Sequence, residues 1–142
     1  MSIQIVMMLP PEAASVSMAR HTLAGALSIA RVAPDCSDEA QVALSEACTN
    51  VFRHAGYDHS FEVRINVGDV ELTMNILDSG PGFARAHQLA DWPDQTAENG
   101  RGLALMTAFT DDASFESHDG GGSVRLKKRL CFRAPAGVSR LA

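Results

Sequence analysis

The sequence predicts an α+β fold, a two-layer sandwich with helices on one face of a mixed, mostly antiparallel sheet. Three observations carry that expectation. Residues 61–76 and 115–130 each hold two alternating apolar runs joined by Gly and Asp, the pattern of a β-hairpin. Residues 12–32 and 37–55 repeat their apolar side chains at helical spacing. Ahead of both lies a short alternating run that suits one more strand, and 142 residues suffice for one well-packed domain but not two.

The elements follow in order. Ile3, Ile5, Met7 and Leu9 alternate with Gln4, Val6 and Met8, so the first strand buries one face fully and the other partly. Pro10-Pro11 ends it and opens a helix with Val16, Leu23, Leu27 and Ala30 on its inner stripe, closed before Pro34. Its other faces carry Ser17, Arg20, His21 and Ser28, and Arg20 is the candidate anchor for a protein partner. Ser37 is the expected N-cap of the second helix, with Asp38 and Glu39 favourably placed at the positive end of its dipole. At about 100° per residue Ala40, Leu44, Ala47, Val51 and Ala55 face the sheet.

Gly68-Asp69 is the expected turn of the first hairpin. Residues 78–99, rich in Gly, Pro, Ser and Asp, form a loop of the length usually kept for a lid over a ligand. A short helix over 103–109 follows, then a second hairpin across Asp119-Gly120-Gly121-Gly122. The domain is expected to span residues 1–132, with 133–142 as a C-terminal tail.

Composition excludes several classes of function. Twelve basic against seventeen acidic side chains give a net charge of −5, a poor match to the nucleic-acid polyanion, so no direct nucleic-acid binding is expected. Five of the basic residues crowd between Arg125 and Arg133, which suits a solvated strand edge. Residues 2–9 are apolar over a strand's length only and lack a preceding basic stretch, so neither a signal peptide nor a membrane span is expected. Cys36, Cys48 and Cys131 are odd in number and widely spaced, without a disulfide or zinc pattern, which points to a reduced, cytoplasmic setting.

Three short patterns carry chemistry. Glu46, Asn50 and Arg53 form a polar stripe on the second helix, apart from its apolar face. Taken alone, that stripe also fits an ordinary solvated helix face. Asp78-Ser-Gly-Pro-Gly-Phe83 follows a strand directly; its carboxylate can accept a hydrogen bond from an adenine amino group, and Gly80 and Gly82 let backbone approach a flat ligand. Gly100-Arg101-Gly102 leads into a helix, whose exposed N–H groups and dipole suit phosphate.

Taken together, E-x-x-x-N-x-x-x-H-A at 46–55, D-x-G-x-G-F at 78–83 and G-x-G-L-x-L-M at 100–106 resemble the asparagine box and two glycine boxes of the GHKL ATPases. These are the Bergerat-fold proteins, among them gyrase, histidine kinases and MutL. The chain looks most like the small bacterial anti-sigma factor serine/threonine kinases. That resemblance implies ATP or ADP with Mg²⁺ as ligands. It implies Asn50 as the Mg²⁺ ligand, Glu46 as the carboxylate that polarises the attacking hydroxyl, and Asp78 helped by Ser123 as the adenine reader. Gly80, Gly82, Gly100 and Gly102 would shape the base pocket and phosphate cradle, with Arg53 and Arg101 reaching phosphate oxygens.

The implied function is phosphorylation of a STAS-type anti-anti-sigma protein together with sequestration of a sigma factor, and homodimerisation is a family expectation. The alternative is a non-catalytic ATP/ADP-binding regulatory module. A detached histidine-kinase ATPase domain fits less well, since His21-Thr-Leu-Ala-Gly lacks the Glu and Pro of a phosphoacceptor helix. One departure stands out: several family members have a basic residue before the second glycine box, where this chain has Glu98-Asn99.

Overall fold

The computed structural model describes residues 2–55, 59–78, 97–118 and 121–134. Strand β1 (Ile3–Leu9) is followed by helices α1 (Ala13–Ile29) and α2 (Pro34–Ala55). Then come β2 (Phe61–Val67), β3 (Glu71–Asp78), helix α3 (Ala97–Ala108), β4 (Asp112–His118) and β5 (Gly121–Arg129). The strands make one five-stranded sheet in the order β1-β2-β3-β5-β4. All four described pairings are antiparallel. The mixed character expected from the sequence survives only at a distance: β4 runs parallel to β3, but β5 lies between them.

One face of the sheet makes the core. Val63, Ile65, Leu72, Met74, Ile76, Val124 and Leu126 are buried there against Leu23 and Leu27 of α1, Leu44 and Val51 of α2, and Met106 of α3. The predicted α2 stripe is in place, with Ala40, Leu44, Ala47 and Val51 all fully buried. Cys48 joins it, and burial pushes its thiol up to about 12. The opposite face of β1 is open where partial burial was expected: Val6 is 65% and Met8 61% exposed. No described helix is long and apolar enough to cross a membrane.

Several boundaries differ from the sequence expectation for physical reasons. Helix α1 starts without a side-chain cap; Ser15 instead turns inward and donates its hydroxyl to Pro10 O at 2.6 Å. It ends at a left-handed Arg31 (φ 64), with Val32 N–H donating to Leu27 O at 3.0 Å, the closure typical of a helix C-terminus. Pro34 rather than Ser37 begins α2, because a first-turn proline has no N–H to satisfy, and Ser37 N–H already makes a helical bond to Ala33 O. Gly68 N–H donates to Glu71 O at 2.9 Å, so the first hairpin reverses over Asp69-Val70 rather than Gly68-Asp69. A Cβ on Gly68 would come within 3.1 Å of that oxygen.

Helix α3 begins at Ala97, earlier than the expected 103, so Gly100 and Gly102 lie inside the helix instead of ahead of it. The basic cluster on β5 is not an edge, since β5 sits between β3 and β4. Strand alternation turns Lys128 into the protein, where its ammonium donates to Glu39 Oε1 at 2.9 Å and to Phe109 O at 2.8 Å.

Candidate functional site

The site assembles where α2, α3 and the ends of β3 and β5 converge. Glu46 and Asn50 lie one helical turn apart on α2, so both project toward the same neighbour. Glu46 is half-buried and Asn50 is 4% exposed. The neighbour is Gly102 of α3: a Cβ built there would stand 2.9 Å from Glu46 Oε2 and 3.7 Å from Asn50 Nδ2. A side chain at 102 would therefore displace the Glu46 carboxylate from where it now sits. Met106, one turn further along α3, is fully buried in the core and fixes the helix at that distance. The glycine box and the asparagine box, far apart in sequence, are thus in contact.

Asp78 is the last residue of β3 and is 2% exposed. It belongs to the same sheet face as Ile76 and Met74, beneath the helices. Its register partners are Phe61 on β2 and Gly122 on β5. The facing position on β5 therefore has no side chain to cover the carboxylate. Ser123 is paired with Leu77 instead, and alternation sends it to the opposite face of the sheet from Asp78. The expected cooperation of Ser123 with Asp78 on one ligand edge is corrected by that register.

The remaining expected residues divide cleanly. Gly100 and Arg101 lie in the first turns of α3 and Arg53 in the last turns of α2, with their side chains outside the described residues. Gly80 and Gly82 lie outside the described residues altogether. No cluster of three His, Cys, Asp or Glu side chains that could hold a metal occurs among the described residues. A single Asn amide oxygen beside a carboxylate fits Mg²⁺, which keeps most of its waters.

The structure adds a feature that the motifs did not reveal. A groove of about 390 Å³ runs between α1 and α2, lined by Arg20, Asp38, Gln41, Val42, Ser45 and Glu46. Arg20 is half-buried in its wall, with its guanidinium donating to Ser17 Oγ at 3.4 Å. Glu46 thus faces Gly102 on one side and this groove on the other. The sequence signal was present: Asp38, Gln41 and Ser45 form a stripe of polar positions leading to Glu46.

Comparisons with known proteins agree with this fold. The family model for the histidine kinase-like ATPase domain matches residues 9–128. A Bacillus cereus protein named serine-protein kinase RsbW is 30% identical over 137 residues, covering 89% of this chain and 85% of the relative. The Bacillus anthracis protein of the same name matches to the same extent, 30% over 137 residues. Among solved structures, the RsbU and RsbW domains of a Mycobacterium tuberculosis protein superpose with a TM-score of 0.70 at 18% identity, covering 93% of this chain and 34% of that one. The SiaB–SiaC complex from Pseudomonas aeruginosa gives 0.57 at 15% identity, covering 88% of each chain. Both structures share the fold described above.

Proposed function

The chain belongs to the histidine kinase-like ATPase family, and on that premise we propose that it is an ATP-dependent serine/threonine protein kinase and anti-sigma factor. Its protein substrate is a STAS-type anti-anti-sigma protein, and its second partner is a sigma factor. The observation that carries this reading is the approach of Gly102 to Glu46 and Asn50, with a Cβ position only 2.9 Å from the Glu46 carboxylate. It brings the glycine-bearing turns of α3, suited to phosphate, against a carboxylate able to handle a hydroxyl proton.

Each residue has a part in the reaction. Asp78 accepts a hydrogen bond from the adenine amino group, a charge-assisted contact contributing about 1.5–3 kcal/mol. The side-chain amide oxygen of Asn50 holds Mg²⁺, which when bound offsets charge on the phosphates. Gly100 and Gly102 keep α3 free of side chains where the phosphates pass, and Arg53 and Arg101 reach phosphate oxygens. Gly80 and Gly82 shape the base pocket. Glu46 orients the incoming serine hydroxyl and takes its proton as the phosphoryl group transfers. Phosphoryl transfer depends mainly on positioning and charge, so one placed carboxylate has a large share in the rate.

The groove between α1 and α2 is the surface that captures the sigma factor, with Arg20 as its anchor; arginine is enriched where such contacts matter most. The protein works in the cytoplasm, as a domain of residues 1–132 with a short tail, and pairs as a homodimer. The test uses the full chain, ATP, Mg²⁺ and a STAS protein encoded beside it. Glu46→Ala is expected to bind ATP nearly as well as wild type and to transfer at least ~10²-fold more slowly. Asn50→Ala is expected to lose Mg²⁺-dependent binding and transfer together. Equal transfer rates for Glu46→Ala and wild type would remove Glu46 from catalysis. Transfer by neither protein would replace the kinase with a non-catalytic nucleotide-binding module.

A further inference from the structure

We propose that Cys36 and Cys131 are a peroxide-oxidisable thiol pair, a modification site that closes into an intramolecular disulfide between the start of α2 and the end of β5. Cys36 lies in the first turn of α2 and is 5% exposed, with its thiol directed at Arg129 O at 3.8 Å. Cys131 lies two residues beyond β5 and is exposed. The two segments are stitched together by backbone. Ala33 N–H donates to Cys131 O at 2.8 Å, Val32 and Phe132 form an antiparallel bridge, and Arg133 N–H donates to Arg31 O at 2.8 Å. This short ladder sets Cys131 opposite Ala33, one helical turn before Cys36, while Cys36 Sγ reaches the Arg129 carbonyl on the same segment as Cys131. Cysteines carried on two segments paired this closely can be joined with little movement of either.

Their surroundings assign the order of events. Cys131 is open to solvent and meets the oxidant first; its sulfur attacks a peroxide oxygen, the O–O bond breaks, and a sulfenic acid and one water result. Cys36 is shielded, and burial pushes its thiol up, with the Cys131 backbone and Lys128 acting in the opposite sense. Its sulfur then attacks the sulfenic sulfur, giving up its proton as the hydroxyl leaves as a second water and the S–S bond forms. The two thiols are oxidised by two electrons and the peroxide is reduced to two waters. The loop closed between 36 and 131 contains Glu46, Asn50, Asp78 and Gly102. Cys48, fully buried in the core, is an internal control with no such partner among the three cysteines.

The experiment treats the reduced full chain with hydrogen peroxide and counts thiols after denaturation, with intact mass and non-reduced peptide mapping. The expected result is one remaining thiol, a Cys36–Cys131 peptide restored to two by dithiothreitol, and the same crosslink in Cys48→Ser. Cys131→Ser, at an exposed position that leaves folding untouched, is expected to keep both of its thiols. Closing so long a loop is expected to raise Tm by at least ~5 °C over the reduced protein. Three free thiols after peroxide, a crosslink running between chains, or Cys131 oxidised beside a reduced Cys36 would each overturn the proposal. An oxidised protein melting no higher than the reduced one would also overturn it, because the bridge would then strain the fold.

Discussion

Gly102 is the residue on which the site turns, because its missing side chain is the space in which Glu46 Oε2 sits. Alanine in its place has two opposing effects. Within a helix it gains up to ~1 kcal/mol of propensity over glycine. Its Cβ would also stand 2.9 Å from Glu46 Oε2, closer than atoms tolerate, so something must shift. The atom in the way is the far end of a flexible side chain, and it can rotate away at little cost to the fold. Gly102→Ala is therefore expected to unfold in urea at the wild-type midpoint or above it, while transferring phosphate at least ~10-fold more slowly. Displacing a catalytic group by about 1 Å can cost ~10²-fold. A variant as active as wild type would show that Glu46 need not hold its present position. Asn50 responds differently: its amide is only 3.7 Å away at Nδ2, an ordinary contact that the methyl group leaves undisturbed.

At the scale of elements, α3 is held at its middle by Gly102 packing on α2 and beyond its last turn by Lys128. The Lys128 ammonium bonds Phe109 O and Glu39 Oε1, joining β5, α3 and α2 at one point. The Glu39 side chain is 45% exposed, so water readily replaces that half of the pair. The Phe109 carbonyl has less recourse. Lys128→Met keeps the buried stem and removes the donor, and it is expected to cost ~1–2 kcal/mol in urea unfolding. Glu39→Gln is expected to cost under ~0.5 kcal/mol. Equal losses would mean that the ion pair, not the carbonyl, is what Lys128 holds. The elements that the sequence made plain are those whose period is strong: the α2 stripe of Ala40, Leu44, Ala47 and Val51, and the first hairpin paired from Phe61↔Asp78 to Val67↔Leu72. Those it obscured depend on tertiary packing. Glu98-Asn99-Gly100 and Gly102 have composition suited to a loop, yet burial of Met106 and contact with α2 carry the helix through them. Strand order is not encoded in a period of two, so neither the interior place of β5 nor the inward turn of Lys128 could be read there. Ser123 differs from the adenine-side position by one residue, and in a strand one residue exchanges the faces.

At the scale of the whole molecule, the candidate site draws on β3 through Asp78, α2 through Asn50 and α3 through Gly102. Those three elements come together only in the folded chain, so a nucleotide bound among them stabilises the fold as a unit. At an ADP concentration 100 times its Kd, with Mg²⁺ present, the linkage amounts to ~2.7 kcal/mol. For a domain of this size that is a rise in Tm of roughly 6–10 °C. Asp78→Asn removes the charged acceptor from the adenine contact and weakens binding by ~1.5–3 kcal/mol. At the same ADP concentration the linkage then falls to about 1.3 kcal/mol or less, and the rise in Tm to half or below. Because Asp78 is buried, the variant's own stability will change too, so each protein is compared with its nucleotide-free form in a thermal melt. Asn50→Ala separates the ion from the base: it is expected to respond to ADP equally with and without Mg²⁺, whereas wild type gains from the ion. An Asp78→Asn protein that rises as far as wild type would place the adenine elsewhere in the fold, and an Asn50→Ala protein still sensitive to Mg²⁺ would place the ion elsewhere.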